Sequence, residues 1–353
     1  MFPKTTAKFV TGTVLAVGLL AFSLQATAQG VVPPSFSGVY VFGDSLSDGG
    51  NNGLVFGGLT GPNPTSPTFI ASLPYAAAAG NRPTYSNGPV WFNSFAAGLG
   101  LASFAAPSLA GGGNYAFGGA RTTINGSGVP PFIPAPFPAS VLTQLTTYLS
   151  TNPAAANAAS SLYVIAGGGN DARAVADAIQ NGANPTAATI AGATAYATAT
   201  AQMVGSLRAA GALNIIVWNV PDLGLTPAAG SGVGPGAAGG TFISSTFNTF
   251  LSGALAGSGA IIFDLFGSIN GIVANPSAAG FGNVTQACGF SGNNCDASNA
   301  LFWDAIHPTA FAQTVVAGQM LATVAAIPEP ATVWLFMAGL AAFGVLARRR
   351  QQG

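Results

Sequence analysis

Four short apolar runs constrain the fold of this chain more than any other feature: Val39-Tyr40-Val41-Phe42, Leu162-Tyr163-Val164-Ile165, Asn214-Ile215-Ile216-Val217-Trp218 and Ala260-Ile261-Ile262-Phe263. Each is rich in β-branched and aromatic residues and is nearly continuous in apolar character. That pattern predicts strands buried on both faces of a parallel sheet. Ala-rich stretches of helical spacing separate the runs. In residues 187–209, Ile190, Ala193, Ala197, Ala201, Val204 and Leu207 recur every three or four positions. Strand and helix in alternation predict an α/β fold with helices packed on both faces of the sheet. A further short strand is expected at 114–117. Two stretches are expected to be long surface loops: residues 130–138, Pro-rich and interleaved with Phe132 and Phe137, and residues 226–240, mostly Gly, Ala and Pro. The first carries enough aromatic surface to line a pocket or act as a lid.

The two ends of the 353 residues have a different character from the body. Lys4 and Lys8 precede an apolar run, and Ala26-Thr27-Ala28 supplies the small residues expected before a cleavage point at Gln29, so residues 1–28 read as a secretory signal peptide. Residues 331–347 are an uninterrupted apolar stretch followed at once by Arg348, Arg349 and Arg350. That order predicts a transmembrane segment with the body outside, because positive charge stays on the cytoplasmic side. The body, 29–326, is then long enough for one large domain with a full core.

Composition excludes several functions. Only 5% of residues are charged and the formal net charge is zero, so there is no basic stripe and no nucleic-acid partner is expected. The Gly and Ala content would suit a surface filament, but there is no fixed repeat, and 49% hydrophobic residues argue for a packed core. Cys288 and Cys295 are the two cysteines; outside the cytoplasm they are expected to form one local disulfide. Without a neighbouring His or further Cys they make a poor metal site.

The candidate chemistry lies just past the ends of the expected strands, where open parallel sheets place their ligands. Ser45 follows the first strand directly, in Val41-Phe42-Gly43-Asp44-Ser45-Leu46-Ser47-Asp48. A serine there can project from the sheet edge with its hydroxyl accessible. A serine nucleophile needs a base to take its proton and a third group to orient that base. His307 is the one histidine of the chain, and Asp304 precedes it by three residues in Trp303-Asp304-Ala305-Ile306-His307-Pro308. The remaining requirement is a set of donors for the oxyanion. Asn114-Tyr115-Ala116-Phe117-Gly118-Gly119-Ala120 offers a glycine turn, and Gly168-Gly169-Asn170-Asp171 an amide side chain; each reads equally well as a structural turn.

These elements, in this order, resemble the GDSL or SGNH hydrolase family. Gly43-Asp44-Ser45-Leu46-Ser47-Asp48 looks like its first block, Gly119 is the best match to the glycine of the second, residues 168–171 look like the third, and residues 304–307 look like the last. Residues 82–91 and 275–288 are similar to its longer members, which include plant-type lipases and the esterase passengers of autotransporters. The resemblance implies a three-layer α/β/α sandwich of flavodoxin-like type around a mainly parallel sheet. It implies Ser45 as nucleophile, His307 as base and Asp304 as its orienting partner. It also implies an oxyanion hole from the Ser45 N–H, Gly119 and Asn170, with Gly118 an alternative to Gly119, and no cofactor. The ending Ile327-Pro328-Glu329-Pro330, apolar run, Arg cluster resembles the PEP-CTERM sorting signal of Gram-negative bacteria. That resemblance implies a membrane-held tail and a sorting protease of the exosortase type. The expected function is an exported serine esterase or lipase working through an acyl-enzyme on a lipid-like or other small ester. Removal of acetyl groups from a polysaccharide is the alternative enzyme reading, and an idle matrix protein on the same fold the non-enzymatic one.

Overall fold

The computed structural model describes residues 35–77, 81–128, 133, 135–151, 157–231 and 235–327. The expected signal peptide and the apolar tail at 331–347 lie outside them. Among the described residues no helix is long and apolar enough to cross a membrane.

Strands β1 (Gly38–Gly43), β2 (Ser161–Ala166), β3 (Asn214–Trp218) and β4 (Ile261–Phe263) pair in that order, all parallel. The α-helices, in chain order, are α1 (Asn51–Val55), α2 (Trp91–Gly98), α3 (Val141–Thr151), α4 (Gly169–Gln180), α5 (Pro185–Ala209), α6 (Pro227–Gly230), α7 (Gly236–Leu255), α8 (Leu265–Ala274) and α9 (Ala310–Ala325). A separate parallel pair, β5 (Asn283–Ala287) and β6 (Ala300–Phe302), precedes α9.

The period-2 alternation of a strand decides which layer each residue enters. Val39, Val41, Leu162, Val164, Ile216 and Trp218 point into a core shared with α2, α8 and α9. Phe42, Tyr163, Ile165, Ile215 and Val217 point the other way, into a core shared with α3, α4, α5 and α7. Both faces are covered, which is why the strand sequences show no polar alternate. The result is a three-layer α/β/α sandwich.

The segment expected to be a strand at 114–117 runs beside β1 on the edge away from β2, but only as a single bridge from Val41 to Asn114. Tyr115 N–H donates to the Val41 carbonyl at 2.8 Å and Phe117 N–H to that of Gly43 at 3.2 Å. Asn114 prevents a regular strand: its Oδ1 accepts from Ala116 N–H and its Nδ2 donates to the Ser47 carbonyl, so the side chain competes with the ladder. The chain therefore leaves β1 toward one edge and returns on its other side as β2. The carboxyl end of β1 is the point where strand order reverses, the usual crevice of such sheets.

Two expectations are corrected. The described part of residues 226–240 is largely helical: Thr226 accepts from Ala229 N–H, Pro227 takes the first helical position of α6, and α7 begins at Gly236. Capping chemistry outweighs the loop-like composition there. In α5, Ile190 is 45% exposed, whereas Tyr196 and Met203 are buried. The helix packs on both α4 and α7, so its buried face is wider than one apolar stripe and is set by its neighbours. Of the Pro-rich stretch, Ile133 and Phe137 are described, and both pack with Phe56 in a small satellite core; Phe132 lies outside the described residues.

Candidate active site

The residues of the site are held by backbone that the sheet cannot satisfy by itself. At the end of β1, Gln144 of α3 clamps both polar groups of Gly43: the N–H donates to Oε1 and Nε2 donates to the carbonyl, each at 2.8 Å. The chain then turns tightly, with Ser47 and Asp48 N–H both donating to the Asp44 carbonyl. Ser45 stands on this turn, 9% exposed.

The Asp48 carboxylate organises the next layer. It accepts from the N–H groups of Gly50 (2.9 Å), Asn51 (2.7 Å), Asn52 (3.2 Å) and Gly118 (3.0 Å), tying the start of α1 to the glycine turn. Asn52 Nδ2 bridges the same parts, donating to the Tyr85 hydroxyl and the Gly118 carbonyl. A side chain at Gly118 would meet the Tyr85 ring at 2.1 Å, so only glycine fits. Tyr85 in turn packs its ring 5.4 Å from that of His307.

Asp304 and His307 meet across one tight loop. Asp304 Oδ1 accepts from the N–H groups of Ile306 (2.8 Å) and His307 (2.7 Å). Its Oδ2 accepts from His307 Nδ1 (2.7 Å), the Tyr75 hydroxyl (2.7 Å) and, more weakly, Ala71 N–H (3.4 Å). The carboxylate is fully buried. Burial pushes its pKa up, but the charge and ring bond of His307 and the bonds from Tyr75 and Ile306 outweigh it and hold the group below the ordinary range. An ionised carboxylate can only accept, so Nδ1 carries the proton and Nε2 is left as an acceptor. Nε2 lies 2.9 Å from Ser45 Oγ. The expected residues Ser45, His307 and Asp304 thus form one continuous hydrogen-bonded chain.

The two glycines of the expected oxyanion turn differ. Gly118 N–H is taken by Asp48. Gly119 follows with φ 82°, a left-handed conformation natural only to glycine, and its N–H has no partner among the described residues. The Ser45 N–H has none either. Asn170 Nδ2 gives one of its two hydrogens to the Ala120 carbonyl at 3.0 Å, which leaves the second directed elsewhere. Asp171 accepts from both Thr122 N–H and Thr122 Oγ1 at 2.8 Å, fixing α4 to the same turn. Gly119 and Asn170 line one cleft with Ser45 and His307.

Two clefts meet at Ser45. One is mostly apolar, with Leu46, Trp218, Leu265, Ile269, Phe302 and Val316 in its wall. The other holds the glycine turn, Tyr85 and Phe137. Among the described residues no cluster of His, Cys, Asp or Glu could hold a metal ion. Cys288 and Cys295 are bonded, with Cα atoms 5.4 Å apart. Next to them, Cys288 and Gly289 N–H donate to the Phe302 and Trp303 carbonyls, so the bridged loop lies against the strand that leads into Asp304.

Burial pushes both Asp44 and Asp48 up to about 6, against hydrogen bonds that lower them. The native state then binds protons more tightly than the unfolded chain between about 4 and 6. The stability these groups contribute is complete below about 4 and is lost as pH rises through 6, by roughly 3 kcal/mol for each group. Asp304 acts oppositely, its contribution being present above about 4 and lost as pH falls further. Stability should therefore peak near pH 4 and fall between about pH 4 and 6. Denaturant titrations across pH should show this, and Asp44→Asn, which keeps the acceptor for Leu46 N–H, should flatten the fall above pH 5. Equal stability from pH 4.5 to 8 would contradict the assignment.

A serine hydroxyl, an imidazole and a buried carboxylate in series at the carboxyl edge of a parallel sheet are the arrangement of the serine hydrolases. The chain belongs to one family of that class, the GDSL-like lipase/acylhydrolases, whose model matches residues 39–320. Residues 326–351 match the PEP-CTERM protein-sorting motif, which indicates export and a cell-surface or secreted fate in Gram-negative bacteria. The chain is 30% identical to the esterase EstA of Pseudomonas aeruginosa over 348 residues, covering 86% of this chain and 49% of that protein. It is 28% identical to a GDSL esterase/lipase of Arabidopsis thaliana, covering 87% of this chain and 96% of the plant protein. The chain spans about half the length of the Pseudomonas relatives it matches. A lipase/acylhydrolase from Enterococcus faecalis superposes with a TM-score of 0.42 at 11% identity, covering 83% of this chain and 97% of that one.

The sequence alone assigned no role to Tyr75, Tyr85, Gln144 or Asp48. Gln144 alone left a signal, a polar residue on the apolar face of α3 beside Val141, Leu145 and Tyr148.

Proposed function

We propose that this chain is an exported ester hydrolase that works through an acyl-enzyme on Ser45. The observation that carries the reading is the bonded series Ser45 Oγ, His307 Nε2, His307 Nδ1, Asp304 Oδ2, with two backbone N–H groups beside it that have no partner among the described residues. His307 takes the Ser45 proton as Oγ bonds to the ester carbonyl carbon. The Ser45 and Gly119 N–H groups and Asn170 Nδ2 bind the oxygen that becomes negative. The imidazolium then gives its proton to the departing alkoxide. Water, deprotonated by the same ring, attacks the acyl-enzyme and releases the acid with Ser45 restored. The apolar cleft favours an acyl chain over an acetyl group, and so a lipid-like ester over an acetylated glycan.

A fluorophosphonate probe should label the protein once, at Ser45, and p-nitrophenyl esters should be turned over with a preference for chains longer than acetyl. A label on another residue, or none, would end this reading. Asn170→Ala should lower kcat by about 10²- to 10³-fold with a smaller change in KM, since its bond forms with the developing charge. Steady-state kinetics on one ester decides it; a change confined to KM would remove Asn170 from the oxyanion hole.

For the tail, the proposal is that residues 331–347 cross the inner membrane until a sorting protease of the exosortase type acts near Pro328-Glu329-Pro330. The apolar run, the Arg cluster and the sorting-motif match support it.

A further inference from the structure

Cations are scarce in this protein. Between residues 29 and 326 there is no lysine, and there are four arginines. Arg121 lies 3.5 Å from Asp171, Arg208 donates to the carbonyls of Ala212 and Leu213, and the stem of Arg82 packs over Gly50. Arg173 differs from all three. It lines the apolar cleft and the oxyanion cleft together with Ser45, Asn170 and His307, and a third depression beside them. Among the described residues it has no hydrogen bond and no ion pair within 4 Å. The carboxylates around it bond to other groups: Asp171 to Thr122 and Arg121, Asp222 to Gly224, Thr241 and Asn270, and Asp44 to Leu46 N–H, so that Arg173 acts on Asp44 only through its charge, from beyond ion-pair distance. Asp177, one turn along α4, lines only the third depression.

A guanidinium is costly to hold beside apolar walls without a counter-charge, and its fork suits phosphate or carboxylate oxygens. Arg173 is three residues beyond Asn170 in α4, so the two share a helix face about 5–6 Å apart at Cβ. The two side chains thus line the clefts at Ser45 from one face of α4, so an ester whose carbonyl meets Asn170 has its neighbouring groups within reach of the guanidinium. We propose that Arg173 binds an anionic group, phosphate or carboxylate, on an ester whose acyl chain fills the apolar cleft, which makes the substrate an anionic amphiphile. This rests on the hydrolase reading above for its scissile bond, but the anion site stands on Arg173 alone.

The test compares kcat/KM of the full-length exported protein for decanoyl glycerol phosphate and O-decanoyl lactate, each relative to neutral decanoyl glycerol. One of the anionic esters should be preferred, and which one identifies the anion as phosphate or carboxylate. Arg173→Ala should lower that ratio by about 10- to 100-fold, the scale of one charge-assisted pair, and Arg173→Lys should recover part of it. Calorimetry of decyl phosphate and of decanoate binding to Ser45→Ala, with and without Arg173→Gln, reads the site without turnover. Anion binding should weaken when Arg173 is lost and when salt is raised. No anionic preference in the wild type, or a ratio and an affinity unchanged by the Arg173 variants, overturns the proposal. Ester turnover that persists in Ser45→Ala would instead overturn the hydrolase reading and leave the anion affinity to be judged by itself.

Discussion

Ser45→Ala should lower kcat for an acyl ester by about 10⁴- to 10⁶-fold, His307→Ala should do the same, and the double variant should be little worse than either. The hydroxyl and the ring nitrogen lie 2.9 Å apart and serve one step, the transfer of the Oγ proton during attack. A hydroxyl without its base and a base without its hydroxyl are equivalent defects, so the losses cannot add. KM should move little, because neither group is needed to seat the chain in the apolar cleft. Kinetics of the three variants on p-nitrophenyl decanoate, with circular dichroism to confirm folding, measure this. Full activity in either single variant, or losses that multiply in the double one, would exclude Ser45 and His307 as a unit.

Asp304→Asn should cost about 10³- to 10⁴-fold in kcat even though it changes few atoms. The carboxylate accepts from five donors, and its Oδ2 holds the Nδ1 proton while also accepting from Tyr75. An amide keeps one acceptor for the two backbone N–H groups and must turn its NH₂ toward His307 and Tyr75. Nδ1 then becomes the acceptor, Nε2 carries the proton, and it can no longer receive one from Ser45. Tyr75→Phe leaves the carboxylate and the imidazole tautomer in place and should cost far less. Measuring kcat for both variants on one ester separates the roles; equal losses would mean that Asp304 acts through packing and not through the tautomer.

The sheet was legible because strands covered on both faces must be apolar throughout, and Val39 to Phe42, Leu162 to Ile165 and Ile215 to Trp218 carry that requirement in their own side chains. The position of Ser45 was legible for a related reason: a residue directly after such a strand lies at the carboxyl edge wherever the strand sits in the sheet. Asp304 and His307 were legible as a pair because three residues of chain keep them within one turn. Residues 226–240 were misread because Gly, Ala and Pro are loop-like on average, while Thr226 and Pro227 in sequence start a helix.

By itself, then, the sequence determined the α/β class, the buried strands and the candidate reacting groups, all of which follow from local periodicity and from short spacings along the chain. Only the tertiary structure decided that His307 Nε2 meets a serine 262 residues away, that Gly118 spends its N–H on Asp48 and leaves that of Gly119 open, and that Tyr75 shares the Asp304 oxygen. It also decided that Arg173 opens onto the clefts with no hydrogen bond or ion pair among the described residues. The physical reason is that a hydrogen bond or a cleft wall depends on how distant segments approach in space. In this fold the sheet's reversal at β1 sets that approach, and no periodicity within a segment encodes it.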